Sequence, residues 1–491
     1  MKLSQLLNNV DAIQVTGSPE SVSIDDISID SRKTGAKSLF IAIKGFNTDG
    51  HKFIQDAVGI GVKAVVIDDN NFLPDEYYIK SGVVKILVKN TRKALASFAN
   101  TLYDFPSKHL VLTGITGTKG KTTTSIFIKN IFDGAGYKTG LIGTNKNIVG
   151  GKVYKSSLTT PQSNEINYLM REMVNSGCSH CVMEVSSHAL ELNRVDYLDY
   201  DYAVFTNITS DHMDYHKSFE NYFSAKKIFF DVLKPGAKVV YNVDDPNSSK
   251  IISDSKAEKY SYGTSDNADF KLKNIEFDLT GTRFEIMYKN SSYRLNTHLA
   301  GGFNAYNAAA AFSMAVLSGV DYDVAAAAIK NTPQVPGRFE VISKGNKNVI
   351  IDYSHTADSL RQALEAIQHI IKKERPVYTV FGCGGNRDKT KRPVMGKIAA
   401  ELSDKIIITS DNPRFEDPDE IIEQIAAGIT DKEYKVIENR EEAIRSAIER
   451  SEENAVILIA GKGHEDYQEI KGVRKFFSDK ETAEKYLFGN K

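Results

Sequence analysis

The chain is poor in cysteine: Cys178, Cys181 and Cys383 are the only three among 491 residues. Three thiols cannot build a disulfide framework, and a reducing compartment is the natural setting. Cys178-x-x-Cys181 has the spacing of a redox pair or half a zinc site, but no second pair exists, so it reads as chance spacing. Long apolar runs are also missing, none approaching the ~18 residues of a membrane span. The N-terminal MKLSQLLNNVDAIQ carries no signal-peptide core, so a cytoplasmic location and no membrane partner are expected. Neither sign of charge is in excess: 62 Lys and Arg against 63 Asp and Glu leave a net charge of −1. That balance argues against a nucleic-acid or membrane-surface partner. Internal repeats and low-complexity tracts are absent. What remains is 41% hydrophobic and 25% charged, the composition of an ordinary globular protein. The length suits about three domains.

The most informative stretch present is Gly117-Thr118-Lys119-Gly120-Lys121-Thr122-Thr123. An apolar run at 109–115 precedes it and reads as a buried strand; residues 125–132 follow with helical spacing. Strand, glycine-rich turn, lysine, hydroxyl and helix together hold nucleotide phosphates. The glycines turn backbone N–H groups inward, the helix N-terminus adds partial positive charge, and the lysine reaches the outer phosphates. Thr122 would bring its hydroxyl to Mg²⁺. Gly114 and Gly120 are separated by five residues rather than the usual four, so a plain glycine-rich turn is the alternative.

Three regions follow from the pattern of strands. Residues 1–108 alternate strands at 38–43, 63–67 and 83–88 with helical pieces such as 93–102. Residues 109–336 add strands at 181–185, 202–207 and 238–242. Residues 337–491 add strands at 349–353, 377–381, 405–409 and 455–459. These runs read as parallel strands buried on both faces, an α/β protein. Nearly all end in polar or glycine-rich sequence: EVSSH, TNITSDH, NVDD, DYSH, GCGGNRD, SDNPR, GKGHED. Ligands bind at the carboxyl ends of such strands, so one site between the two larger regions is expected.

Glu184 closes a strand ahead of Ser186, Ser187 and His188. The next strand delivers Asn207, Asp211, His212, Asp214 and His216. Carboxylates beside a phosphate loop suit Mg²⁺. The i,i+4 spacing of His212 and His216 makes zinc conceivable, but no third ligand stands in register. By composition Lys226 is a helix-surface lysine, and Asn304 or Asn307 could be simple helix caps. Arg338, Arg387, Arg392 and Arg414 stand where arginine forks take carboxylate or phosphate; solvated surface arginine is the bland alternative.

Taken in order, GTKGKTT, Thr159-Thr160-Pro161, EVSSHAL, TNITSDHMDYH, NVDD, PGRFE, DYSHTADSL, GCGGNRD, DNPR and GKGHED resemble the Mur ligases over essentially the whole chain. The resemblance implies a UDP-sugar-binding domain at 1–108, a central P-loop ATPase-type doubly wound domain at 109–336 and a C-terminal Rossmann-like amino-acid domain at 337–491. It implies that ATP phosphorylates the free carboxylate of a nucleotide-linked peptide, and that an amino acid's amine then displaces the phosphate. Ser31, Phe46, Asn47 and Thr48 match uridine-nucleotide contacts; Thr159, Thr160, Ser186 and Arg194 match contacts to the muramyl dipeptide. Gly117 to Thr123 with Asn304, Arg338 and Asp352 match ATP contacts. Thr122, Glu184 and His212 match the environment of Mg²⁺, two ions being expected. Lys226 matches a lysine carrying a CO₂-derived carbamate. Lys121, Glu184, His212 and Lys226 form the candidate catalytic set. Leu158 and Leu192 depart from residues often polar in the family.

Motif DNPR bears on the amino acid added. Diaminopimelate is lysine with a second carboxylate at its far end, and its pocket needs a cation there. Arg414 with Arg387, Asp411, Asn412, Pro413, Gly461 and Glu465 resembles such a pocket. Arg414 would take the distal carboxylate and Glu465 the distal ammonium. The implied partners are UDP-N-acetylmuramoyl-L-alanyl-D-glutamate, meso-diaminopimelate and ATP, acted on by a monomer. Alternatives are a lysine- or dipeptide-adding Mur ligase, a folylpolyglutamate synthetase-like ligase, and a nucleotide-gated binding protein that ligates nothing.

Overall fold

Apolar runs of four to six residues become the strands of three sheets in the computed structural model, which describes residues 1–46 and 48–489. Two strands, Lys238–Asn242 and Val377–Phe381, occupy the expected residues, and the others begin or end within two residues of expectation. The first sheet has five strands, with Ser38–Ile41, Ala64–Ile67 and Val84–Val88 parallel at its centre. The helix Thr91–Leu102 covers one face, started by Asn90, whose side chain accepts from the N–H groups of Arg92 and Lys93.

The second sheet holds eleven strands. Val111–Thr116 lies in its middle, parallel to His180–Glu184 on one side and Tyr202–Phe205 on the other. The neighbours are close enough that a Cβ on Gly114 would sit 2.5 Å from the Phe229 ring and 2.7 Å from Tyr200. All-parallel strands are not what the structure has. Lys146–Val149 and Lys152–Lys155 pair antiparallel at one edge; Phe270–Asp278, Gly281–Tyr288 and Ser291–Thr297 form an antiparallel meander at the other. The meander alternates buried Phe270 and Leu272 with the more exposed Lys271 and Lys273, as strands wetted on one face do. Helix Gly302–Leu317, almost wholly apolar, covers its other face.

The third sheet has six strands, with Lys347–Asp352, Val456–Ala460, Val377–Phe381 and Lys405–Ile408 parallel in its centre. Under its carboxyl end Arg440 and Asp479 pair bidentately, both side chains fully buried, at 2.7 and 2.8 Å. Arg440 Nη2 also donates to Ala460 O at 3.0 Å, which fixes the strand end just before Gly461. Asp479→Ala leaves that cation unpaired and is expected to destabilise this region by about 3–5 kcal/mol. Urea unfolding measures it; a loss under ~1 kcal/mol would mean that the guanidinium finds other partners.

The second and third sheets meet at their carboxyl ends. Lys119 of the phosphate loop pairs with Asp358, in the first turn of helix Ala357–Ile371. Asn145 Nδ2 donates to Pro336 O at 3.2 Å, and the Phe277 and His369 rings stack at 4.7 Å. The first region reaches the second through Phe46, whose ring meets Tyr215 edge-on at 5.5 Å. No helix among the described residues is long and apolar enough to cross a membrane.

Candidate active site

The strand Val111–Thr116 runs out into Gly117, and the helix Lys121–Gly134 starts after Gly120. Both glycines have positive φ, +150° and +84°. A Cβ at Gly117 would collide with Thr206 Oγ1 and one at Gly120 with Asn307 Oδ1. Lys119 N–H donates to Asn207 Oδ1 at 3.0 Å, while its ammonium is tied to Asp358 rather than aimed at the loop. Thr118 Oγ1 lies 2.9 Å from Tyr222 Oη, and Thr123 is buried in the helix's first turn. The asparagines are not caps. Gly301 occupies that position, and buried Asn304 donates to Ala300 O at 2.8 Å while accepting from Asn307 Nδ2 at 3.0 Å.

Lys121 folds back on the loop, its ammonium 2.8 Å from Gly117 O and 3.0 Å from Thr118 O. Lys226 is not a surface lysine. It is 1% exposed, and its Nζ donates to the same Gly117 oxygen at 2.8 Å. Burial, and then the charge of Lys121, drive the Lys226 ammonium far below the usual lysine range. Burial likewise lowers Lys121. Composition could not show this, because the helix Phe219–Asp231 turns Tyr222, Lys226 and Phe229 together into the sheet.

Glu184 is buried, with Oε2 accepting from Thr122 Oγ1 and Oε1 from Thr144 N–H, at 2.9 and 2.8 Å. His212 and His216 do not share a helix face. His212, at φ +57°, caps the four-residue helix Met213–His216 and lies 3.7 Å from Asp211. His216 turns inward to Ser187 Oγ at 2.9 Å and Glu191 at 3.1 Å. Burial pushes His188 down to about 3 and His216 to about 4, which favours the neutral imidazole in both. Among the described residues no three His, Cys, Asp or Glu side chains converge as a metal cage. The set that remains is the Thr122 hydroxyl, the Glu184 carboxylate, the His212 imidazole and the Lys226 amine, whose carbamate would add further oxygens. The hydroxyl and carboxylate oxygens, with those of a carbamate, are donors of the kind that suit Mg²⁺.

Opposite the loop, Thr160 Oγ1 lies 2.8 Å from Glu184 O and accepts from Ser186 N–H at 3.0 Å. Thr144 Oγ1 stands between Glu184 Oε2 and Thr159 Oγ1, 2.9 and 3.0 Å away. Arg194 Nη1 donates to Thr160 O at 3.0 Å, leaving its buried Nε without a partner. Thr159, Thr160, Ser186 and Arg194 are therefore one cluster. Ser31 is buried in the first region and Phe46 is 71% exposed. Thr48 O accepts from Gly45 N–H at 2.9 Å, and Asn47 lies outside the described residues.

The third region supplies the rest. Arg338 Nη2 donates to Thr122 Oγ1 at 3.4 Å, and its guanidinium lies 4.7 Å from the Tyr353 ring centre. Asp352 is raised by burial and accepts from Phe339 N–H at 2.7 Å. Tyr353 Oη in turn donates to Glu465 Oε1 at 3.4 Å. Thr122, Arg338, Tyr353 and Glu465 thus form a continuous path from the phosphate loop into the DNPR pocket. There Asn412 Nδ2 donates to Glu465 Oε2 at 2.8 Å, and a Cβ on Gly461 would stand 2.5 Å from Asp411 Oδ2. Arg414 holds φ at +54°, pinned by its N–H on Glu469 O at 3.0 Å and its O under Lys471 N–H at 2.6 Å. Its Nη1 donates to Gly385 O at 2.8 Å. Both Arg414 Nη1 and Arg387 Cγ flank Gly384, within 2.9 and 3.8 Å of where its Cβ would stand. Arg387 is half exposed and its head reaches Asp214 of the second region at 4.0 Å. Sequence reasoning passed over Lys462, which is fully buried beside Asn412. The signal available was its place inside GKGHED.

A glycine-rich strand–loop–helix turn facing a second α/β sheet, with Arg387 and Arg414 beyond it, is an arrangement suited to a multidomain nucleotide-dependent enzyme. Three descriptions match along the chain: the Mur ligase family catalytic domain at 23–103, the Mur ligase middle domain at 115–315, and the Mur ligase glutamate ligase domain at 337–463. The chain belongs to the Mur ligase family. It is 42% identical over 467 residues to the UDP-N-acetylmuramoyl-L-alanyl-D-glutamate–2,6-diaminopimelate ligase of Clostridium botulinum, covering 94% of this chain and 95% of that one. The enzyme of the same name from Clostridium tetani is 38% identical, with 99% of each chain covered. A solved structure of a ligase of that name superposes with a TM-score of 0.68 at 27% identity, covering 99% of each chain.

Proposed function

We propose that this chain adds meso-2,6-diaminopimelate to UDP-N-acetylmuramoyl-L-alanyl-D-glutamate in an ATP-dependent, ADP-forming reaction of peptidoglycan precursor synthesis. The observation that carries this reading is the path from Thr122 through Arg338 and Tyr353 to Glu465, which links phosphate chemistry to amino-acid recognition. The reading divides the chain at 1–108, 109–336 and 337–491, for the UDP-sugar, ATP and the incoming amino acid. It describes a cytoplasmic monomer.

In the first step the γ-phosphoryl group passes to the free carboxylate of the dipeptide, giving an acyl phosphate and ADP. Two anions must face each other, and Lys121 and Arg338 neutralise them. Thr159, Thr160, Ser186 and Arg194 hold the dipeptide against the loop, and Asn304 and Asp352 hold the nucleotide. In the second step the diaminopimelate amine attacks the acyl carbon, the C–N bond forms, and phosphate leaves. Arg414 and Glu465 aim that amine by fixing the far end of the amino acid. Thr122, Glu184, His212 and Lys226 as its carbamate would hold Mg²⁺, which when bound offsets phosphate charge. Carbamate formation joins the Lys226 amine to CO₂ and releases a proton. It needs the uncharged amine that burial favours.

Sustained release of ADP and phosphate is expected only when UDP-muramyl-dipeptide and diaminopimelate are both present. Steady ATP turnover that ignores the peptide would point to a nucleotide-gated binding protein instead.

A further inference from the structure

Lys462 is 0% exposed and lies against the DNPR segment. Its Nζ lies 3.0 Å from Asn412 Oδ1, 3.4 Å from Glu465 Oε2 and 3.6 Å from Asp411 Oδ1. Two of these, Asn412 Oδ1 and Glu465 Oε2, lie within hydrogen-bond reach of the ammonium, and Asp411 Oδ1 stands at ion-pair distance. The Tyr467 ring closes the remaining side, its centre 5.4 Å away.

This arrangement decides which way the Asn412 carboxamide points. Its Oδ1 receives Lys462 Nζ and, at 2.9 Å, the N–H of Glu469. With the oxygen held by two donors, the amide nitrogen must face the other way, where it donates to Glu465 Oε2 at 2.8 Å. The same Glu465 oxygen takes Lys462. Among the described residues Oε1 keeps only the long contact from Tyr353 Oη at 3.4 Å and is the oxygen left for a ligand cation.

We infer that Lys462 is a positioning residue of the amino-acid pocket. One buried ammonium orients the Asn412 amide and the Glu465 carboxylate, and it balances the paired negative charge of Asp411 and Glu465. Without it the pocket would present two uncompensated carboxylates and an amide free to flip. The inference rests on the assignment of this pocket to diaminopimelate.

The test compares Lys462→Met, Glu465→Gln and the double variant, full length, by steady-state ligation. Lys462→Met is expected to raise the KM for diaminopimelate by about 30-fold or more, the usual effect of stripping one partner from a buried charge pair. The KM for ATP and for UDP-muramyl-dipeptide should stay within about 3-fold. Because Lys462 acts through Glu465, the double variant should cost clearly less than the product of the two single effects. Lys462→Arg retains the cation, so it should fold even where Met does not. Its planar fork cannot reproduce the ammonium's contacts to Asn412 and Glu465, and at least about 10-fold in the same KM is expected. If Glu465→Gln raises the diaminopimelate KM while both Lys462 variants leave it unchanged, the inference fails and the pocket stands. If none of the three changes it, the pocket assignment itself fails. Multiplicative effects in the double variant would overturn the claim that Lys462 works through Glu465.

Discussion

Arg414→Ala is expected to raise the KM for diaminopimelate between about 30-fold and several thousand-fold. That corresponds to about 2–5 kcal/mol, the range for removing one partner of a buried, hydrogen-bonded charge pair. The side chain is held for the purpose. Its backbone sits at φ +54°, a conformation costing a non-glycine residue about 1–2 kcal/mol, and two main-chain hydrogen bonds to the segment 469–471 fix it there. Among the described residues only Gly385 O takes a hydrogen bond from the guanidinium, through Nη1, so the rest of it can fork onto a carboxylate. Lysine, which lacks that carboxylate, should lose far less when tested as the amino acid. Arg414→Lys keeps the charge but not the fork and should recover only part of the loss. Steady-state kinetics with both amino acids checks this; an unchanged diaminopimelate KM in the alanine variant would remove Arg414 from the pocket.

Lys226→Ala is expected to lower kcat by about 10²-fold or more, as removal of one preorganised electrostatic group does. The amine is buried, disfavoured as an ammonium, and placed on the carbonyl that also receives Lys121. Two ammonium groups on one carbonyl repel, whereas a carbamate beside Lys121 attracts it. Short-chain carboxylates such as acetate or propionate should therefore restore part of the activity by standing in the space left by the side chain. Wild-type activity should fall in CO₂-free buffer and return with bicarbonate. Full activity without CO₂, together with no rescue of the alanine variant, would contradict the carbamate.

Much of this was legible in the residues. The strand–loop–helix order around Gly117 to Thr123 is local, and the apolar runs at 238–242 and 377–381 are bounded by polar turns, so both stood out. The meander at 270–297 did not, because half-wetted alternating strands give a weaker pattern than buried ones. The geometry of His212 was equally hidden: i,i+4 spacing implies one helix face, but a residue at φ +57° starts the helix there. Lys226 and Lys462 share a cause of a different kind. Burial of a lysine depends on which elements pack over it, and in both cases those elements come from distant sequence: Gly117 for one, Asn412 for the other. The link from Thr122 to Glu465 likewise exists only once two sheets meet at their carboxyl ends.

The most direct test is a mass-resolved ligation with UDP-N-acetylmuramoyl-L-alanyl-D-glutamate, ATP and Mg²⁺, offered equal amounts of meso-diaminopimelate and L-lysine. A tripeptide product carrying diaminopimelate almost alone is the expected result. A product carrying mainly lysine would keep the ligase and overturn the role of Arg414, and ATP hydrolysis with neither product would contradict the reaction itself.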